Sequence, residues 1–160
     1  MQNEQIVVFK LQEHEFGIDI KKVLEILNYE PVRPVPEVPS YVEGIINVRG
    51  TIYPIFDLSK RLNIGINEEK ENSKFILLQL EENRVGFLVD SVAEIFSIEP
   101  ECVEEPPTML DKNRVNCIEK IVNQEDRMII VLDVNAIISD EEKIFVQGVS
   151  DEENCSSNTK

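Results

Sequence analysis

The chain has 160 residues and a mass of 18.4 kDa, enough for one domain or two very small lobes. Apolar residues at 42% and charged residues at 29% exclude collagen-like, disulfide-dense and wholly disordered classes. The net charge of −15 opposes binding to phosphate backbones or anionic lipid, and it is uneven: seven cations against nine anions over residues 1–62 give −2, and nine against twenty-two over 63–160 give −13.

The start, Met1-Gln2-Asn3-Glu4, lacks the basic residues of a signal peptide, and the longest apolar run, Met128 to Leu132, is far short of the ~20 residues of a membrane helix. A cytoplasmic protein is expected. Val7, Phe9 and Leu11, then Phe16, Ile18 and Ile20, recur mostly at a period of two, which reads as half-buried strands, and the short polar gap from Gln12 to Glu15 makes them a hairpin. Pro31, Pro34, Pro36 and Pro39 lie between Tyr29 and Tyr41, too densely for a helix, and predict an extended connector. Arg49-Gly50 marks a turn, and Asp57 is placed to cap a short helix over 57–62.

Asn63 to Ser73 reads as a polar linker. Beyond it Ile76, Leu78 and Leu80 with Val85, Phe87 and Val89 predict a second hairpin. Glu125-Asp126 marks a further turn, Asp133 to Ile138 a second capped helix, and Glu141 to Val146 a third. Ser150 to Lys160 is polar and acidic, and is expected to be a disordered tail that function does not need.

The chain repeats itself. A shift of 69 residues lays Phe9 to Ile26 over Leu78 to Ile95, with Leu11/Leu80, Gly17/Gly86, Val23/Val92, Glu25/Glu94 and Ile26/Ile95 in register. A shift of 76 lays Val42 to Asn47 over Ile118 to Asn123, and Ile55 to Leu58 over Val131 to Val134. The copies, about 5–62 and 74–139, each hold too few apolar residues for a separate core, so one shared body over 1–149 is expected.

Catalytic signatures are mostly missing. One histidine, His14, cannot build a two-histidine metal site, and it falls in a predicted turn among acids. No phosphate-binding glycine loop or nucleophile elbow is present. Cys102, Cys117 and Cys155 are odd in number and far apart, which points to reduced thiols and not to a zinc site or disulfide framework. Asp57 and Asp133 match across the repeat and read better as helix caps than as a catalytic pair. Glu25 and Glu94 also match, and stay open between solvent-facing strand residues and functional ones. Arg49, beside Gly50 and flanked by Val48, Ile52 and Tyr53, is either an interface anchor projecting from an apolar rim or a surface arginine paired with Glu25 or Glu43.

The string Tyr41-Val-Glu-Gly-Ile-Ile-Asn-Val-Arg-Gly-Thr-Ile-Tyr-Pro-Ile-Phe-Asp-Leu58 resembles the signature of the CheW family, the coupling proteins of bacterial chemotaxis. Phe16-Gly-Ile-Asp-Ile-Lys-Lys-Val-Leu-Glu-Ile26 is similar to that family's N-terminal motif, and the likeness runs over about residues 5 to 148. The resemblance implies an all-β fold of two strand-exchanged, five-stranded SH3- or OB-like barrels with short helices, and no active site, metal or cofactor. It implies a non-catalytic adaptor, cytoplasmic and recruited to membrane receptor arrays. The implied partners are the cytoplasmic tip of a methyl-accepting chemoreceptor and the regulatory domain of the histidine kinase CheA. By the same analogy Val23, Glu25, Gly44 and Arg49 fall at the receptor-facing groove, and Asn47, Gly50, Pro54 and Asp57 make the signature turn and its strand. Lys120 and Glu125-Asp126 depart from the family pattern in the second copy.

Three other readings compete: a similar scaffold in a non-chemotaxis two-component pathway, a small enzyme built on acidic residues, and a nucleic-acid-binding barrel. The last lacks a basic groove with stacking aromatics, since the chain has no Trp and three Tyr.

Overall fold

The computed structural model describes residues 4–62, 64–65, 70–80, 83–105 and 118–137. The first copy gives β1 (Glu4–Leu11), β2 (His14–Asp19), β3 (Val23–Asn28), β4 (Val42–Val48), β5 (Thr51–Asp57) and the short helix α1 (Leu58–Arg61). The second gives β6 (Lys74–Leu80), β7 (Asn83–Val89), β8 (Ser91–Ile98), the two-residue β9 (Val103–Glu104), β10 (Ile118–Gln124), β11 (Arg127–Leu132) and α2 (Val134–Ile137). Among the described residues no helix is long and apolar enough to cross a membrane. The helix expected at Glu141 to Val146 and the tail from Ser150 lie outside the described residues.

The strands form two sheets, and each takes strands from both copies. One runs β8-β1-β2-β11-β10-β9, the other β3-β6-β7-β5-β4. Each copy's first hairpin thus completes the sheet made by the later strands of the other copy. The copies meet inside each sheet along parallel pairs, β2 with β11 and β5 with β7, whereas every other pair is antiparallel. This is the exchange the family resemblance implied, with β9 as a sixth strand on one side.

Each sheet wraps its own core. Ile46, Tyr53, Ile55, Phe75, Leu77 and Leu88, with Leu27, bring all five strands of one sheet around a single cluster. Ile6, Val8, Phe96, Ile98, Val122, Ile129 and Val131 form a second cluster from β1, β8, β10 and β11 of the other, with Val103 of β9 packed against it. A third cluster, including Phe9, Phe16, Phe56, Phe87 and Leu132, joins the sheets. The expectation of half-buried strands therefore fails for β1, β6 and β7, and β5 shares their burial. Their alternate residues point into two different cores, so most of each strand is buried on both faces. Phe9, Phe56 and Phe87 are essentially fully buried, and each such side chain contributes about 1.5–3 kcal/mol relative to exposure.

The matched glycines acquire a reason here. A Cβ on Gly17 would lie 2.6 Å from Ile6 Cδ1, and one on Gly86 2.5 Å from Ile55 Cδ1. Both occupy the equivalent place where a hairpin strand crosses the inside of a small barrel. Asp57 and Asp133 are caps, as their matched positions predict: Asp57 Oδ1 accepts from the Lys60 N–H at 3.3 Å, and Asp133 Oδ1 from the Asn135 and Ala136 N–H groups at 3.1 and 3.3 Å. Cys102 carries a free thiol that burial, then Glu99 and Glu101, push above its usual range, while Cys117 and Cys155 lie outside the described residues.

Candidate functional site

The signature string folds into the β4–β5 hairpin and the start of α1. Its turn has two residues, Arg49 at φ 50° and Gly50 at φ 87°, closed by the pair Val48 and Thr51. Two successive positive φ values match the right-handed twist of the flanking strands. Glycine adopts such a backbone freely, whereas Arg49 does so against its Cβ. The Asn47 Oδ1 accepts a hydrogen bond from the Gly50 N–H at 2.9 Å.

Pro54 is buried in β5 opposite Ile45. The Ile45 N–H and C=O both turn away from β5, to Arg33 at 2.8 and 2.9 Å, so a residue without an N–H is tolerated across from it. The proline-rich connector, expected only to be extended, is therefore pinned to the outer edge of β4 through Arg33. That close approach explains Gly44, which has φ 147°: a Cβ there would sit 2.2 Å from the Arg33 carbonyl oxygen. Between the connector and the hairpin lies a cleft of about 270 Å³ lined by Pro31, Arg33, Ile45, Asn47 and Ile52 among others.

Arg49 reaches across the barrel mouth to Glu25 on β3, the opposite edge strand of the sheet. Both Nη atoms donate, Nη1 to Oε1 at 3.3 Å and Nη2 to Oε2. The pairing raises the Arg49 pKa, chiefly through the hydrogen bond to Glu25. Arg49 keeps 73% of its side chain exposed and Glu25 32%. Of the two readings of Arg49, the pair with Glu25 is present, and it leaves the guanidinium open to a partner. Glu43 instead accepts from Lys60 Nζ at 3.1 Å.

The other candidates are distributed around this clasp. Val23 lies on β3 opposite Leu78 and packs inward against the shared core. Gly44 is buried on β4 beneath the connector, so its role is to shape the backbone. Leu24 and Ile26, on the outer side of β3, are 47% and 40% exposed. His14 is an exposed residue at the start of β2. Among the described residues no group of three or more His, Cys, Asp or Glu side chains is placed to hold a metal ion.

The second barrel has its own clasp, which sequence reasoning missed. Glu94, the counterpart of Glu25, accepts from Arg127 Nη1 at 2.5 Å, and Glu15 on β2 accepts from Arg127 Nε at 3.3 Å and from Nη2. The guanidinium also lies 5.1 Å from the centre of the Phe96 ring. Hydrogen bonding to Arg127 holds the Glu15 carboxyl below its usual range, and the two glutamates raise the Arg127 pKa. The repeat pointed to Glu94, but its cation stands in β11 two residues past the position matching Arg49, where no match would direct attention.

Comparison with known proteins gives the arrangement a context. The profile of the CheW-like domain family matches residues 5–142. The chain is 34% identical over 142 residues to the Chemotaxis protein CheW of Treponema pallidum, covering 86% of this chain and 84% of that one. It is 31% identical over 138 residues to the Chemotaxis protein CheW of Bacillus subtilis, covering 86% and 88%. The crystal structure of the scaffolding protein TtCheW from Thermoanaerobacter tengcongensis superposes with a TM-score of 0.78 at 33% identity, over 89% of this chain and 92% of that one.

Proposed function

The chain belongs to the CheW-like family, and on that premise we propose that it is a non-catalytic adaptor of bacterial chemotaxis. It couples the cytoplasmic tip of a methyl-accepting chemoreceptor to the regulatory domain of the histidine kinase CheA, at the cytoplasmic face of a receptor array. The working unit is residues 1–149. The observation that carries the receptor half of this reading is the exposed Glu25–Arg49 clasp on the signature turn. A guanidinium with one face committed to Glu25 still has donors to offer an acidic partner. Leu24 and Ile26 supply apolar surface on the same strand as Glu25. Val23 and Gly44 contribute from beneath, one packing β3 against the core and the other setting the course of β4.

Replacing Arg49 by Glu tests this reading. The variant puts two carboxylates across the barrel mouth and reverses the charge shown to the receptor. Its affinity for a receptor-tip fragment should fall about tenfold or more, with the far-UV circular dichroism and the binding of the kinase regulatory domain retained. Unaltered receptor affinity in a folded Arg49→Glu protein would remove the clasp from the receptor site.

A further inference from the structure

We propose that Asn47 is a positioning residue for Arg49, holding the turn in the one conformation that delivers the guanidinium to Glu25 and to the partner. The inference rests on the reading of the Arg49 turn as a receptor contact, and it assigns that site its internal support. Arg49 stands at φ 50°, a region that side-chain-bearing residues enter at a cost, and it does so in an exposed turn with no core packing over it. Something local must favour that geometry. The Asn47 Oδ1 accepts from the Gly50 N–H at 2.9 Å. That N–H belongs to the peptide group joining Arg49 to Gly50, whose plane is set by the Arg49 ψ angle. Fixing this peptide therefore fixes the direction in which the Arg49 side chain leaves the backbone.

Asn47 is well placed for such a role and poorly placed for others. Its side chain is exposed, so it adds little to the core. The bidentate contact with Glu25 needs a guanidinium of set orientation, and a turn free to rock would spread the arginine over many poses. The second barrel supplies the contrast. Its clasp arginine, Arg127, belongs to β11 itself and pairs opposite Gln124 in the ladder, so its direction is fixed by the strand and not by a turn.

Receptor-tip fragment should be titrated against the wild type, Asn47→Ala, Asn47→Asp, Arg49→Ala and the double variant Asn47→Ala/Arg49→Ala, with melting temperatures measured alongside. Asn47→Ala should weaken binding about three- to tenfold, by loss of one ordering hydrogen bond. Asn47→Asp keeps the acceptor oxygen and should restore affinity to within about twofold. In the Arg49→Ala background, Asn47→Ala should add no further loss, because only the placement of Arg49 is at stake. Equal weakening in both backgrounds, or no weakening by Asn47→Ala where Arg49→Ala does weaken, overturns the assignment. A second readout needs no receptor. The Arg49 Nε–H signal in nitrogen–proton NMR spectra should move toward that of a free arginine in Asn47→Ala and stay in place in Asn47→Asp. If Arg49→Ala leaves binding unchanged, the receptor reading fails by itself, and the NMR shift still decides for or against Asn47.

Discussion

In the first barrel the turn between β4 and β5 carries Arg49 and Gly50, with φ of 50° and 87°; in the second, the turn between β10 and β11 carries Glu125 and Asp126, with φ of 56° and 60°. The hairpins match further still, with one bulge between Val42 and Gly44 and its counterpart between Ile118 and Lys120. On this shared backbone the charges are opposite. Both barrels keep a glutamate on the edge strand, Glu25 and Glu94, but the first meets a cation at the tip of a turn and the second a cation within a strand. Arg49 is 73% exposed and has one acidic partner, whereas Arg127 is 27% exposed and has two. The two copies thus share the backbone of the turn and differ in the charge it displays, one clasp being a half-buried tie and the other an exposed pair.

The largest effect should come from undoing the duplication itself. Two separate chains, cut between Asn63 and Ser73, should each be unfolded or insoluble, because each barrel takes two of its strands from the other copy. Two soluble halves with cooperative melting would contradict the exchange. Next in size is the contrast between Gly44 and Lys120, which stand at matching bulges but of which only Gly44 has a positive φ. Gly44→Ala forces a Cβ against the Arg33 carbonyl and should detach the connector, costing about 3 kcal/mol and lowering the Tm by about 10 °C. Lys120→Ala loses its pair with Glu4 and should cost no more than about 1 kcal/mol. Similar Tm losses for the two would mean that the connector does not distinguish the barrels.

Smaller again is the difference between the clasps. Arg127→Ala leaves Glu15 and Glu94 without their cation and should cost about 1–2 kcal/mol at pH 7, while Arg49→Ala should leave the Tm unchanged. The pH dependence has a definite sign. The Glu15 pKa is lowered in the folded protein below its ordinary 4.5, so its contribution is complete above that value and disappears as the pH falls through the lower one. The gap between wild type and Arg127→Ala, followed by chemical denaturation, should shrink as the pH is taken down through and below 4.5. A constant gap would place the effect of Arg127 in its packing on Phe96 instead.

Much of the fold was legible because duplication left its marks in residue types with strict demands. Gly17 and Gly86 recur because a barrel interior has no room for a Cβ, and Asp57 and Asp133 because each starts a helix with orphan N–H groups. The two-sided burial of β1 and β6 was written in the unbroken apolar runs Ile6 to Phe9 and Phe75 to Leu78, which a period of two, taken alone, does not reveal. The candidate site was half legible. Arg49 and Glu25 stand in one motif each, 24 residues apart in the chain, and their meeting depends on closure of the sheet that has β3 and β4 at its edges. The link from Arg33 to Ile45 was hidden because proline density signals an extended chain without saying what it lies against. Arg127 was hidden because it has no counterpart in the first copy.

The chain passes between the two sheets twice, through the turn at Ile20–Lys22 and again at Asp90, whose N–H donates to the Lys10 carbonyl and whose carboxylate accepts from the Gln12 N–H. Each passage continues a hairpin that is already built into the middle of a sheet, seamed there to the other copy. The two barrels also share the core that includes Phe9, Phe16, Phe56, Phe87 and Leu132, so a hinge between them would have to pull that cluster apart before it could open. A load placed on one barrel is consequently passed to the other through packed side chains and two short backbone passages, with no slack chain between them.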